Sequence, residues 1–256
     1  MHTIHVKNIT IGEGIPKICV SIIGKTREEI LKQAEALLYS KADIVEWRVD
    51  WYEQAEVIEE VLQTAKELSA VFKEMPWIFT FRTAKEGGEK EISTQAYKAL
   101  NEAIIKSRTA DFVDVEVFME EEMAKELIKT AHENDTKIVA SNHDFSKTPS
   151  KEEILRRLCY MQDLGADIPK IAVMPQSKTD VLTLLAATTE MRENYAKSPI
   201  ITMSMAGEGS ISRISGEIFG SAVTFGAVGS VSAPGQIEIN RLVELLQDIH
   251  KMYVGA

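Results

Sequence analysis

Eight short β-rich runs recur along this chain at roughly 30-residue intervals, the length of one strand with its crossover helix. They are KICVSIIG (17–24), DIVEWRV (43–49), WIFTFR (77–82), DFVDVEV (111–117), KIVASNH (137–143), DIPKIAV (167–173), PIITMSM (199–205) and SAVTFGAV (221–228). Amphipathic stretches separate them: Thr26–Tyr39, Ala55–Phe72, Thr94–Ser107, Glu120–Asn134, Ser150–Leu164, Lys178–Tyr195 and Ile237–Met252. Several open on a hydroxyl followed by acids, as in Thr26-Arg-Glu-Glu and Ser150-Lys-Glu-Glu, which caps orphan amides and matches the positive helix end. Strict alternation demands a parallel sheet covered by helices. Eight repeats within 256 residues favour a closed (β/α)8 TIM barrel over an open doubly wound sheet. No Gly-x-Gly-x-x-Gly follows the first run, where a dinucleotide-binding sheet would carry it. Residues 4–7 and 9–11, split by Asn8, are expected to form a short N-terminal β-hairpin closing the barrel floor. Nothing resembling a linker interrupts the pattern, so residues 1–256 read as a single barrel domain.

Charge narrows the partners. Lys plus Arg number 29 against 39 Asp plus Glu, a net charge of −10. A field of that sign repels phosphate backbones and anionic membranes, so neither nucleic acid nor membrane is expected as a partner. Hydrophobic residues at 45% and charged residues at 27% are ordinary globular values and supply a sizeable core. Two cysteines, Cys19 and Cys159, sit in apolar patterns and read as packed thiols of a reducing compartment. The N-terminus mixes His2, His5, Lys7 and Asn8 into its apolar residues and offers no signal peptide. No window approaches 18 uninterrupted apolar residues. A cytoplasmic location is expected.

A barrel of this kind does its chemistry at the carboxyl ends of the strands, and the ends here are ionic. The second run closes on Glu46-Trp-Arg48-Val-Asp50 and the third on Arg82. The fourth holds Glu116, the fifth closes on Ser141-Asn-His143-Asp144, and the sixth carries Lys170 in mid-run. Alternation places Glu46, Arg48 and Asp50 on one face, where unpaired charge is costly. Each residue also has a structural reading: Arg48 with Glu46 as an ion pair at the mouth, Asp50 as a cap, His143 as a hydrogen-bonded core histidine. His2, His5, His132 and His250 lie at the terminus or on helices and read as structural. Lys170 is the sharpest signal. Apolar strand residues surround it, so burial favours a neutral amine, which attacks carbonyls to form a Schiff base. A snorkelling lysine is the alternative. A metal finds little support: there is no His-x-His, His-x-x-x-His or Cys-x-x-Cys pair, and arginines oppose an ion among Glu46, Glu116 and Asp144.

The segments EWRVD (46–50), FTFRTAKEGGE (79–89), SNHDF (141–145), GADIPKIAVMPQ (165–176), PIITMSM (199–205), ISRISGEIFGSAVTFG (211–226) and SAPGQI (232–237) closely resemble the type I 3-dehydroquinate dehydratases. The resemblance runs from IGEG at 11–14 to the final helix. It implies a (β/α)8 barrel without cofactor or metal, a homodimer, and a lyase that removes water from 3-dehydroquinate to give 3-dehydroshikimate in the shikimate pathway of aromatic amino acid biosynthesis. The same reaction serves quinate breakdown. By resemblance Lys170 is the Schiff-base lysine, His143 the general acid–base and Glu86 its partner. Ser21, Glu46, Arg48 and Arg82 match substrate contacts, Arg213 the clamp on the carboxylate, Ser232 and Gln236 the closing loop, and Met203 and Met205 the apolar wall. One stretch departs: Ala206-Gly-Glu-Gly-Ser210 adds an acid and a glycine to the loop after the seventh run.

The chemistry explains the residue types. An iminium is an electron sink that makes the neighbouring proton acidic enough for an imidazole, and one imidazole can then protonate the departing hydroxyl, implying a same-face elimination. A guanidinium matches the substrate carboxylate. Two other readings stay open from the residues themselves: a class I aldolase or transaldolase, which would also use a lysine imine, and a barrel that only binds a polyhydroxy acid. The surplus acid is expected on outer helices, in runs such as Glu120-Glu-Glu122, leaving a locally cationic mouth of Arg48, Arg82, Lys170 and Arg213.

Overall fold

The computed structural model describes residues 2–229 and 233–255. Strands β1 (Ile4–Val6) and β2 (Ile9–Ile11) pair antiparallel, with Ile4 opposite Ile11 and Lys7 in the left-handed region of the turn. Lys7 Nζ donates to the Phe72 carbonyl at 2.7 Å and pairs with Asp111 at 2.8 Å, which ties the hairpin to the barrel wall. Ile4 and Ile11 pack onto the bottom of the barrel interior, so the expected floor hairpin is present.

Eight parallel strands follow: β3 (Lys17–Ile22), β4 (Ile44–Arg48), β5 (Trp77–Thr80), β6 (Phe112–Glu116), β7 (Lys137–Asp144), β8 (Ile168–Val173), β9 (Ile201–Ser204) and β10 (Val223–Ala227). From β3 to β9 each pairs with the next, and β10 pairs with β3, Val223 opposite Lys17. A two-residue strand, β11 (Ile237–Glu238), pairs parallel alongside the end of β10. The closing seam between β9 and β10 holds only the bridge Ile200–Ser221. Serine hydroxyls replace the missing ladder: Ser221 Oγ accepts from Thr202 N at 3.0 Å, and Ser212 Oγ accepts from Ser204 N at 2.9 Å. Buried backbone groups are thereby satisfied where strands splay apart.

Helices α1 (Arg27–Leu37), α2 (Ile58–Val71), α3 (Thr94–Ser107), α4 (Glu121–Glu133), α5 (Lys151–Asp163), α6 (Lys178–Glu190) and α9 (Ile239–Val254) cover the barrel. Thr26 and Ser150 act as the N-caps their sequence signals. Two departures have local causes. The Lys178–Tyr195 stretch ends its α-helix at Glu190 and loosens into a π turn over Met191–Tyr195. Between β9 and β10 stand two short helices, α7 (Ser210–Ile214) and α8 (Gly216–Phe219), because Gly207, Gly209, Gly216 and Gly220 break the segment.

The barrel interior changes character with height. Cys19, Ile44, Ile78, Phe112, Val139, Ile168, Ile201 and Val223 form an apolar floor with the hairpin. Two residues further along the strands, the same face presents Ser21, Glu46, Thr80, Asp114, Ser141, Lys170, Met203 and Phe225, a mostly polar layer. Two further still stand Arg48, Arg82, Glu116, His143, Ala172 and Met205. The site therefore begins one pleat above the core.

Candidate active site

Lys170 is 4% exposed, on a strand whose neighbours are all buried. Its Nζ lies 3.4 Å from Asp114 Oδ2, 3.8 Å from Glu46 Oε1 and 4.7 Å from the centre of the Phe225 ring. A snorkelling lysine would reach solvent; this one points into the polar layer. The fold sets two carboxylates beside this amine that the apolar strand pattern does not show. Glu46 also accepts from Ser21 Oγ at 2.6 Å and Thr80 Oγ1 at 3.0 Å. Asp114 accepts from Ser141 at 2.6 Å and Arg82 at 2.8 Å. Burial opposes its charge, yet Arg82 and Lys170 outweigh that and hold the carboxyl below its ordinary range.

His143 is positioned by strand β7, whose pairing with β8 persists to Asp144, past the expected strand end. Glu86 reaches it from the loop after β5. Glu86 Oε2 lies 2.9 Å from both Nδ1 and the backbone nitrogen of His143, and Oε1 accepts from Asn142 Nδ2 at 3.0 Å. Gly88 makes that reach possible. A Cβ there would lie 1.9 Å from the Arg82 carbonyl, so only glycine lets the loop fold back on its own start. Burial, then Arg82, Lys170 and Arg48, pulls the imidazole well below its ordinary value. Burial and the Glu116 carboxylate push the Glu86 carboxyl up to about 8, against Arg82. The 2.9 Å contact ties the protonation of each group to that of the other. With the proton of the pair on Nδ1 facing Glu86, Nε2 is the ring nitrogen left for the cavity.

The three arginines differ in how far they are already matched. Arg48 forks onto Asp50 at 2.9 and 2.8 Å, not onto Glu46. The 3-10 turn Val49–Trp51 swings Asp50 out of strand alternation and back to the guanidinium, while Asp50 also accepts from Arg82 N and Glu89 N. Arg82 is held by Asp114 at 2.8 Å and Glu116 at 2.9 Å, with Glu86 at 3.7 Å. Arg213 stands apart: it is 1% exposed, donates to the Pro234 carbonyl at 2.8 Å, and its Nε and Nη1 have no hydrogen-bond partner among the described residues. Burial alone lowers it to about 10, so it stays cationic at neutral pH.

One cavity gathers Glu46, Arg48, Arg82, Glu86, His143, Lys170, Met203, Met205, Arg213 and Gln236. Ser21 touches it through Glu46, and the expected contact Ser232 lies outside the described residues. The acids weighed as ion ligands diverge. Glu46 serves Lys170, Glu116 holds Arg82 and the Thr83 backbone, and Asp144 accepts from Ser146 and Lys147 in the following turn. The expected cationic mouth needs correction. Arg48, Arg82 and Lys170 are set against Glu46, Asp50, Glu86, Asp114 and Glu116, which leaves Arg213 as the cavity cation without an ion-pair partner among the described residues.

Sequence reasoning missed Asp114, Asn142, Phe145 and Phe225. Asp114 was legible, since it lies two residues before Glu116 on the same strand face. Asn142 and Phe145 had no such signal: Phe145 covers Gly87, where a Cβ would come within 2.2 Å of the ring.

Fold and site together define an α/β-barrel enzyme with a buried lysine at its centre. The family model described as Type I 3-dehydroquinase matches residues 18–253. A 3-dehydroquinate dehydratase of Clostridioides difficile is 56% identical over 248 residues, 97% of each chain. One from Listeria welshimeri is 54% identical over 253 residues, 99% of this chain and 100% of its own. The crystal structure of a Type I 3-dehydroquinate dehydratase from Clostridium difficile, described with covalent modified comenic acid, superposes with a TM-score of 0.95 at 55% identity, covering 98% of this chain and 99% of its own. The chain belongs to the type I 3-dehydroquinase family.

Proposed function

We propose that this barrel is a 3-dehydroquinate dehydratase that works through an imine on Lys170, as part of aromatic amino acid biosynthesis. The observation that carries the reading is a single cavity lined by a buried lysine, a histidine–glutamate pair and a guanidinium whose Nε and Nη1 are unpaired among the described residues. Arg213 takes the substrate carboxylate as a charge-assisted fork. Glu46, Arg48, Arg82 and Gln236 face the ring hydroxyls, with Met203 and Met205 against its apolar side. Lys170 Nζ adds to the ketone, and loss of water leaves an iminium. His143 Nε2 removes the adjacent proton, and the resulting enamine expels the β-hydroxyl with that proton, so one water leaves. Hydrolysis of the product iminium consumes one water and returns the amine, balancing the water lost when the iminium formed. Asp114 and Glu46, close to Nζ, stabilise the cationic iminium.

The resemblance further supports a cytoplasmic homodimer built from one barrel domain over residues 1–256. Among the described residues no helix is long and apolar enough to cross a membrane. A single species of 28.5 kDa in sedimentation at micromolar protein would overturn the dimer.

Incubation with 3-dehydroquinate should produce the ultraviolet absorbance of an enone, and borohydride added during turnover should attach one reduced ligand at Lys170. Lys170→Ala should lose turnover and labelling while still binding substrate. An active wild-type protein that borohydride leaves unlabelled would remove the imine from the mechanism; unchanged dehydroquinate would remove the activity.

A further inference from the structure

One run of side chains enters the site from the outer helical layer. Arg157, on α5, is 21% exposed at its side chain, and Glu153 grips its Nε at 2.7 Å while the guanidinium lies over the Phe118 ring at 5.9 Å. Its Nη1 donates to Asn142 Oδ1 at 2.9 Å, and Asn142 Nδ2 donates to Glu86 Oε1 at 3.0 Å. Glu86 Oε2 then faces His143. An amide can present either end to a neighbour, but a guanidinium has only donors. Arg157 therefore selects the Asn142 orientation that offers its NH2 to Glu86.

We propose that Arg157 is a positioning residue which, through Asn142, fixes the protonation state of the Glu86–His143 pair without touching substrate. The inference rests on reading that pair as the acid–base of the reaction. A turned Asn142 would set its carbonyl against the Glu86 carboxylate, and the repulsion would favour a protonated Glu86. A protonated Glu86 donates to Nδ1, which moves the ring proton to Nε2 and blocks the nitrogen that must accept from substrate. Other charged groups face the pair from inside the barrel: Arg82 from the end of β5, Glu116 and Asp114 from β6, Lys170 from β8 and Arg48 from β4. All of them remain when Arg157 is changed, so Arg157 supplies a separate, external bias.

The test compares wild type, Arg157→Ala, Arg157→Lys, Asn142→Ala and the double variant Arg157→Ala/Asn142→Ala. Two readouts are used: the pH profile of kcat/KM on dehydroquinate, and the titration of the His143 ring in the free protein by NMR. Arg157→Ala should lower kcat about 3- to 30-fold near neutrality, a fraction of the usual outer-partner effect, with KM nearly unchanged. Its acidic limb should move to higher pH, so that activity recovers in alkali. Arg157→Lys, still able to donate to Oδ1, should restore the wild-type profile. Asn142→Ala should shift the limb the same way, and the double variant should add nothing further, since both act through one contact. A wild-type limb and His143 titration in Arg157→Ala, or in Asn142→Ala where the arginine variant fails to fold, would overturn the inference. A wild-type protein inert toward dehydroquinate whose His143 titration still moves in Arg157→Ala would overturn the functional reading and leave this one standing.

Discussion

Lys170 and Arg213 line the same cavity, yet among the described residues one is flanked by two carboxylates and the other by none. That contrast assigns them different work, since a matched cation is held for chemistry whereas an unmatched one waits for an anion. Arg213→Ala should therefore reduce kcat/KM by about 2–4 kcal/mol of transition-state binding, roughly 30- to 1000-fold. Steady-state kinetics should find most of the loss in KM; an unchanged KM would refute the clamp. The acid–base pair predicts a pH effect with a definite sign. Activity should rise with pH as the coupled pair, with Glu86 pushed up toward about 8 by burial and Glu116, gives up its proton. In Glu86→Gln the imidazole titrates alone, pulled down by burial and by Arg82, Lys170 and Arg48. Its limb should shift to lower pH while kcat falls about 10- to 100-fold; a limb shifted upward would contradict the assignment. At this scale the sequence already exposed Lys170, because an ammonium among apolar strand residues violates the pattern around it. It could not show that Arg48 pairs with Asp50 rather than Glu46, which depends on a turn that breaks the alternation.

Elements set how firmly these residues are aimed. His143 rides on a paired strand, while Glu86 rides on a loop that closes through Gly88 N to the Thr83 carbonyl at 2.8 Å. Gly88→Ala should push that loop off Arg82 and carry Glu86 away from the imidazole. The expected result is a folded protein, with its far-UV circular dichroism retained, whose kcat falls at least as far as that of Glu86→Gln. Wild-type activity would show that the loop tolerates the added methyl. Strand and helix identities were legible because a period of two alternates with a period near 3.6 all along the chain. The link between β9 and β10 was not, since glycines and serines there carry no period. Only the barrel seam reveals that Ser212 and Ser221 serve as surrogate backbone partners.

Across the whole molecule, charge acts at two ranges. The net charge of −10 repels an anionic substrate at a distance, and the near-balanced cavity does little to reverse that field. Raising ionic strength from about 10 to 200 mM should leave kcat/KM within about twofold or increase it, because salt screens beyond about 10 Å but reaches a buried guanidinium poorly. A steep fall would instead mean a mouth with a dominant positive field. The sequence by itself determined the barrel, its floor hairpin and the charged strand residues Glu46, Arg48, Arg82, His143 and Lys170, since these follow from periodicity and from charges in strands that should be apolar, while Glu86, Met203, Met205, Arg213 and Gln236 were legible through the family resemblance. Tertiary structure decided which charges cancel. Ion pairing depends on distances of a few ångströms between residues dozens of positions apart, and only the closed barrel fixes those. It placed Asp114 beneath the lysine, matched two arginines to acids, and left Arg213, among the described residues, with N–H groups to spare.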